Sequence, residues 1–255
     1  MSKNLPPLEL GQSAQRGSPL ETTAFVAGAT GYTGREVVRE LRRQGIETVA
    51  HVRPDSSRLD EWRADLTRAG AAVDTTPWDA AAMTATLRGL QPGLVFALLG
   101  TTRARARRAG RDLAQRESYE SVDYGLTRLL LDATVAAAPA ARFIYLSSLG
   151  VREGSRNPYI AVRARFESEL RQSGVPYLIA RPGLITGPDR EESRPAERLA
   201  SVVVDGVLAL AGMMGGTGLQ RRYASMNAAT LARGLVRAAL GPEWNRVVEA
   251  EGLRG

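Results

Sequence analysis

The chain has 255 residues, enough to bury one substantial core, and carries 34 basic against 27 acidic side chains for a net charge of +7. It has no cysteine, which excludes disulfides, thiolate chemistry and cysteine metal sites, and its one histidine, His51, is too few for a histidine metal centre or a Ser-His-Asp triad. The charge is almost all arginine, with Lys3 the only lysine, a bias that resembles a GC-rich bacterial genome; no recognition motif accompanies it, so nucleic acid is not the expected partner.

Residues 1–22 are polar and rich in Pro, Gly and Ser, and read as a disordered leader rather than a secretory signal. Strand candidates follow at 24–28, 46–52, 71–75, 93–99, 142–147 and 175–180. Helical candidates near 33–44, 58–69, 79–89, 117–138 and 158–173 lie between them. Alternation of this kind predicts an α/β fold, a doubly wound parallel sheet with helices on both faces. Past residue 183 the rhythm loosens into a charged Pro-containing loop, an apolar helix-like run at 196–211 and the turn Gly215-Gly216-Thr217-Gly218. The reading is one domain over 23–255, with 183–223 as a small lobe on the substrate side, a closing helix near 228–240 and a last strand near 246–250. No apolar run approaches the length that spans a bilayer, so a cytoplasmic protein with no membrane partner is expected.

The most informative stretch is Gly28-Ala29-Thr30-Gly31-Tyr32-Thr33-Gly34, set between the strand Ala24–Ala27 and a helix whose Val37, Val38 and Leu41 fall on one face. Strand, glycine turn and helix in that order form a dinucleotide-phosphate site. Gly28 permits the tight turn, Gly31 lets the backbone approach the pyrophosphate, and Gly34 lets the helix pack close to the strand. Thr30, Tyr32 and Thr33 belong to the same turn, whose N–H groups face the phosphates.

The next strand ends at Arg53, where a binder of NAD places an acid on the ribose 2′-hydroxyl. An arginine there can pair with a 2′-phosphate, which favours NADP(H), or can be an exposed residue at a strand end. Arg35, just after the last glycine, is a second phosphate partner or a plain helix-surface residue. Asp79 caps a helix or accepts a hydrogen bond from the adenine amino group. Leu99, Gly100 and Thr101 close the fourth strand beside the nicotinamide half, where small residues permit close approach. Arg103, Arg105, Arg107, Arg108 and Arg111 form either a solvated face or an electropositive rim that steers an anion to the cleft. His51 is expected to pack or hydrogen-bond at its strand end, with no catalytic role.

GATGYTG, LLGTTR (98–103), VDYGLT (122–127), YLSS (145–148), a Tyr159-centred helix, RPG (181–183) and DREESRPAE (189–197) occur in this order. Together they resemble atypical short-chain dehydrogenase/reductases, in particular the Tat-interacting-protein-type NADPH oxidoreductases, with the NmrA-like NADP sensors further off. The resemblance covers roughly residues 24–250. It implies hydride transfer between NADPH and a carbonyl or alcohol, and adds Pro182 to the residues beside the cofactor. It also implies a proton-exchanging tyrosine, a lysine four residues later that binds the nicotinamide ribose, and a serine that polarises the substrate oxygen. Tyr159 matches the tyrosine, Ser148 (or Ser147) the serine, and Arg163 stands at the lysine position.

Arginine at that position keeps the positive charge and a fork suited to ribose hydroxyls, but it is bulkier and cannot pass a proton onward. Three readings follow. One is an NADP(H)-dependent oxidoreductase with a small-molecule substrate. Another is a catalytically weak NADP(H)-binding redox sensor or scaffold, which the arginine at 163 favours and the retained Tyr159 and Ser148 oppose; Tyr159 can also be an ordinary buried aromatic on an amphipathic helix. The third is a nucleic-acid binder driven by charge. The sequence leaves the substrate and the oligomeric state open.

Overall fold

The computed structural model describes residues 22–100, 124–183, 185 and 226–254. Its strands, in chain order, are β1 (Thr23–Ala27), β2 (Glu47–His51), β3 (Ala72–Asp74), β4 (Leu94–Ala97), β5 (Arg142–Leu146), β6 (Tyr177–Arg181) and β7 (Arg246–Glu249). The helices are α1 (Tyr32–Arg43), α2 (Leu59–Arg68), α3 (Ala80–Leu90), α4 (Thr127–Ala137), α5 (Pro158–Gln172) and α6 (Ala228–Leu240). All strand pairings are parallel, in the order β3-β2-β1-β4-β5-β6-β7. The expected doubly wound sheet is therefore present.

Central strands of a parallel sheet are covered on both faces and so read as unbroken apolar runs. Ala24 to Ala27 of β1 and all of β4 are buried. Successive side chains point to opposite faces. Ala24, Val26, Leu94, Phe96, Ile144 and Leu178 pack with α1 and α6. Phe25, Ala27, Val95, Ala97, Phe143 and Ile179 pack with α3, α4 and α5. Because the order reverses at β1, α1 after β1 packs on one face and α4 after β4 on the other. In this arrangement such sheets hold ligands in a crevice at the carboxyl ends of those strands.

Caps fix where the helices begin. Asp79 accepts from the Ala82 N–H at the start of α3, Asn157 from the Tyr159 and Ile160 N–H groups at α5, and Asn227 from the Thr230 N–H at α6. Pro158, at the first position of α5, suits a site where its missing N–H is not needed. α1 opens on Gly31 with no side-chain cap and no acid in its first turn.

The expected helix at 117–138 is described only from residue 124, as a π-helical turn at 124–126 leading into α4. The leader, the 103–111 arginines, the 196–211 run, the Gly215–Gly218 turn and nearly all of the 183–223 lobe lie outside the described residues.

The α5 side of the core is organised around Phe166. It is fully buried, with its ring 4.5 Å from that of Tyr145 and 6.2 Å from that of Phe143. Phe166→Ala is expected to destabilise the protein by about 3–5 kcal/mol, the range for emptying a closed aromatic site. Urea unfolding checks this, and a loss under about 1 kcal/mol would mean that the site collapses around the missing ring.

Candidate functional site

The glycine turn is a contact between backbones. Gly28 has φ +83°, and a Cβ on it would lie 2.5 Å from the Leu98 carbonyl oxygen. A Cβ on Gly34 would collide with the Gly28 carbonyl oxygen and with Ala29. The Gly31 N–H donates to the Gly28 oxygen at 3.0 Å, closing the turn, and the Leu98 N–H donates to Ala27 at 3.0 Å. These contacts press the first turn of α1 against β1 and the end of β4. The uncapped N-terminus of α1, with its partial positive charge, thus lies at the switch point. Gly31 is exposed there, Thr33 and Gly34 are buried, and Thr30 and Tyr32 are half-buried. Leu99 is half-buried and Gly100 exposed on the β4 side; Thr101 lies outside the described residues.

At the end of β2, Arg53 is half-buried, with Nη1 3.8 Å from the Asp55 carboxylate. Asp79 is exposed and its Oδ1 holds the Ala82 N–H at 2.9 Å, so the cap is a fact of the fold. Between them His51 is 3% exposed and donates from Nε2 to the Thr76 carbonyl at 2.8 Å, since a carbonyl can only accept. Its ring lies 4.7 Å from that of Trp78, edge to face. His51 therefore fastens the segment leading to Asp79 onto β2.

At the other end of the crevice, α5 places Tyr159 and Arg163 one turn apart. The Arg163 guanidinium lies 4.6 Å from the centre of the Tyr159 ring and 5.8 Å from that of Tyr145. Arg163 is 5% exposed, and its Nη1 donates to the Leu146 carbonyl at 2.6 Å and to the Tyr145 hydroxyl at 3.3 Å. The arginine thus ties the Tyr159 helix to the end of β5. Ser147 and Ser148 follow directly. The Ser147 hydroxyl donates to Glu167 at 2.6 Å and is buried, whereas Ser148 is half-buried and, among the described residues, makes a long contact of 3.4 Å to the Leu149 carbonyl. The Leu149 N–H donates to the Pro182 carbonyl at 3.0 Å, which brings the RPG segment beside the serines.

Glu167 lies one further turn along α5 and was not visible in the motifs. It is 1% exposed and accepts from Ser147, from Arg181 at 2.6 and 3.0 Å, and from Arg171 at 3.0 Å. Hydrogen bonding to Glu167 raises Arg181 further above its ordinary value. A buried carboxylate persists only with donors of this kind. The signal was spacing: Tyr159, Arg163 and Glu167 recur every four residues on one helix face. Also missed was Trp62, which carries Arg35 and Arg58 against its ring, with guanidinium-to-centroid distances of 5.6 and 4.6 Å. Among the described residues no His, Asp and Glu cluster could hold a metal ion, and no helix is long and apolar enough to cross a membrane.

Burial, the largest influence, lowers the His51 imidazole below its ordinary value. The Arg53 charge acts with it, while the Thr76 hydrogen bond and Asp74 oppose. The unfolded chain therefore takes up a proton more readily than the folded one. The stability contributed by the neutral ring is complete above about pH 6.5 and is lost as pH falls toward the lower folded value. Thermal melts from pH 7.5 to 5 should show a decline that His51→Gln flattens; identical slopes in the two proteins would contradict this assignment.

The model of an NAD(P)H-binding family matches residues 28–206. A rice (Oryza sativa subsp. indica) divinyl chlorophyllide a 8-vinyl-reductase is 37% identical over 175 residues, 65% of this chain and 40% of that protein. A ceramide reductase of Caulobacter vibrioides is 32% identical over 177 residues, 69% of this chain and 50% of that one. The chain thus spans half or less of the length of both. The mitochondrial protein fmp52 of Emericella nidulans is 31% identical over 180 residues, 68% of this chain and 70% of its own. Among solved structures, UDP-glucose 4-epimerase of Thermotoga maritima shares the fold at TM-score 0.60 and 18% identity, over 89% of this chain and 75% of that one. WbmH of Bordetella bronchiseptica in complex with NAD+ does so at TM-score 0.57 and 18% identity, over 88% and 73%. The chain belongs to the NAD(P)H-binding family of atypical short-chain dehydrogenases/reductases.

Proposed function

We propose that this protein is an NADPH-dependent reductase acting on a carbonyl, or in reverse on an alcohol, of a small molecule. The single observation that carries the reading is the joining of Tyr159 and Arg163 to the end of β5, at the edge of the same crevice that the glycine turn opens. Two relatives bear reductase names, which supports the reaction class; their named substrates differ, and the substrate of this protein stays open. A cytoplasmic setting belongs to the same reading.

The glycine cradle fits a dinucleotide, because side chains at Gly28 and Gly34 would fill the space that the turn needs. Gly28, Thr30, Gly31, Tyr32, Thr33 and Gly34 would hold the pyrophosphate, Arg53 the 2′-phosphate, and Leu99, Gly100, Thr101 and Pro182 the nicotinamide side. Asp79, with one carboxylate oxygen on its cap, would meet the adenine amino group with the other. NADPH, when bound, supplies the hydride that reduces the carbonyl carbon. Tyr159 gives its phenolic proton to the substrate oxygen, and Ser148 donates a hydrogen bond to that oxygen. Arg163, whose guanidinium lies against the Tyr159 ring, stabilises the negative charge that develops on Tyr159 as the proton leaves, and would meet the nicotinamide ribose from the same side.

One observation favours a second reading, a redox sensor or scaffold with weak catalysis. Arg163 Nη1 is held by the Leu146 carbonyl, so the residue at the lysine position has a structural duty that a proton relay would not share.

Calorimetric titration should show NADPH binding tighter than NADH by about tenfold or more, with Arg53→Ala removing most of the difference. Equal affinities would overturn the cofactor choice. With a carbonyl panel followed at the NADPH absorbance band, Tyr159→Phe should lower turnover by about a hundredfold or more, the scale of a lost general acid. Unchanged turnover in that variant would remove Tyr159 from the chemistry. Activity created by Arg163→Lys in an inert wild type would favour the sensor.

A further inference from the structure

Two guanidiniums share the Trp62 indole. Arg35 comes from the first turn of α1, just after the glycine turn, and Arg58 is the residue at which α2 begins. Arg58 and Trp62 are four residues apart and lie on one helix face. The indole is half-buried and packs against the core cluster beneath α1, so it is a fixed surface. Like charges brought to one ring repel, and the indole face offsets only part of that. Glu61 accepts from Arg58 at 2.6 Å. The buried Nε of Arg35 has no hydrogen-bond partner among the described residues. Arg53 lies on the same short loop, which is closed by the Ser56 N–H on the Arg53 carbonyl at 3.1 Å and the Leu59 N–H on the Ser56 carbonyl at 3.1 Å. Arg35 and Arg58 thus meet at the Trp62 ring, and Arg53, beside the Asp55 carboxylate, lies five residues before Arg58 on the loop that leaves β2. An arrangement that concentrates positive charge on a rigid platform suits a compact dianion better than a hydroxyl pair.

We propose that Trp62 is a specificity-determining platform: by stacking Arg35 and Arg58 at the end of β2, it completes with Arg53 a three-arginine cradle for the cofactor's 2′-phosphate. Trp62 itself is a positioning residue and does not touch the phosphate. The inference rests on the NADPH reading above. It differs from the assignment of Arg53 alone, because it makes an apolar ring on α2 the source of discrimination.

The test is calorimetric titration of wild type, Trp62→Ala, Trp62→Phe and Arg58→Ala with NADPH and NADH, together with displacement of NADPH by 2′-AMP and by 5′-AMP. Trp62→Ala is expected to weaken NADPH and 2′-AMP by about tenfold while NADH changes less than about twofold, and Trp62→Phe to restore most of the loss. Arg58→Ala, an exposed site that leaves the core intact, should reproduce the selective loss in part, and it carries the test if Trp62→Ala does not fold. An equal loss for both cofactors would overturn the proposal, since it would mark Trp62 as an adenine stack or a fold element. So would affinities unchanged in every variant. If wild type binds NADPH and NADH equally, the NADPH reading itself fails. If wild type prefers NADPH and the Trp62 and Arg58 variants keep that preference, only the platform fails.

Discussion

Everything in this molecule depends on how closely three pieces of backbone approach at the end of β1. Gly28 touches the Leu98 carbonyl of the neighbouring strand end, and Gly34 touches Gly28. No side chain can stand between them, so α1 starts hard against the sheet and its uncapped N-terminus opens at the reversal of strand order. The same constraint decides the chemistry of the crevice. A helix start with no side-chain cap and no acid in its first turn offers oriented N–H groups to an anion.

The far end of the crevice is built by charge rather than by close approach. α5 is joined to β5 through Arg163 on the Leu146 carbonyl and Ser147 on Glu167, and to β6 through Arg181 on Glu167. A carboxylate as buried as Glu167 is stable only while these donors remain, so loss of one partner is felt by all the elements it joins. This network occupies Ser147, while among the described residues Ser148 makes only a long contact to the Leu149 carbonyl. It also shows why arginine suits position 163: its fork spans from the Tyr159 ring to a backbone carbonyl, a reach and planarity that an ammonium lacks.

The sheet was legible because buried parallel strands have a plain signature. Leu94–Ala97 and Ala24–Ala27 are unbroken apolar runs, and Val37, Val38 and Leu41 mark the buried face of α1 by helical spacing. The glycine turn was legible because each glycine answers a steric demand that only glycine meets. Asp79 was ambiguous in sequence, since an acid before a helix serves equally as cap or ligand; the structure shows the cap. Glu167 and Trp62 were harder to see, as their meaning lies in partners distant along the chain: Ser147 and Arg181 for one, Arg35 for the other. The high arginine content also reads differently once folded. Arg39 pairs with Glu36 and Arg68 with Asp65, exposed pairs one turn apart that contribute little each, while Arg43 pairs with the buried Glu40.

On the proposed function, a single dinucleotide spans the crevice, from the arginines at the end of β2 to Tyr159 and Arg163. A crystal structure of the NADPH complex measures this directly. The predicted result has the pyrophosphate on the N–H groups that follow Gly31, the 2′-phosphate against Arg53, and the nicotinamide facing Tyr159 while Arg163 keeps the Leu146 carbonyl. A nicotinamide turned away from Tyr159, or a cofactor that leaves the glycine turn empty, would contradict it.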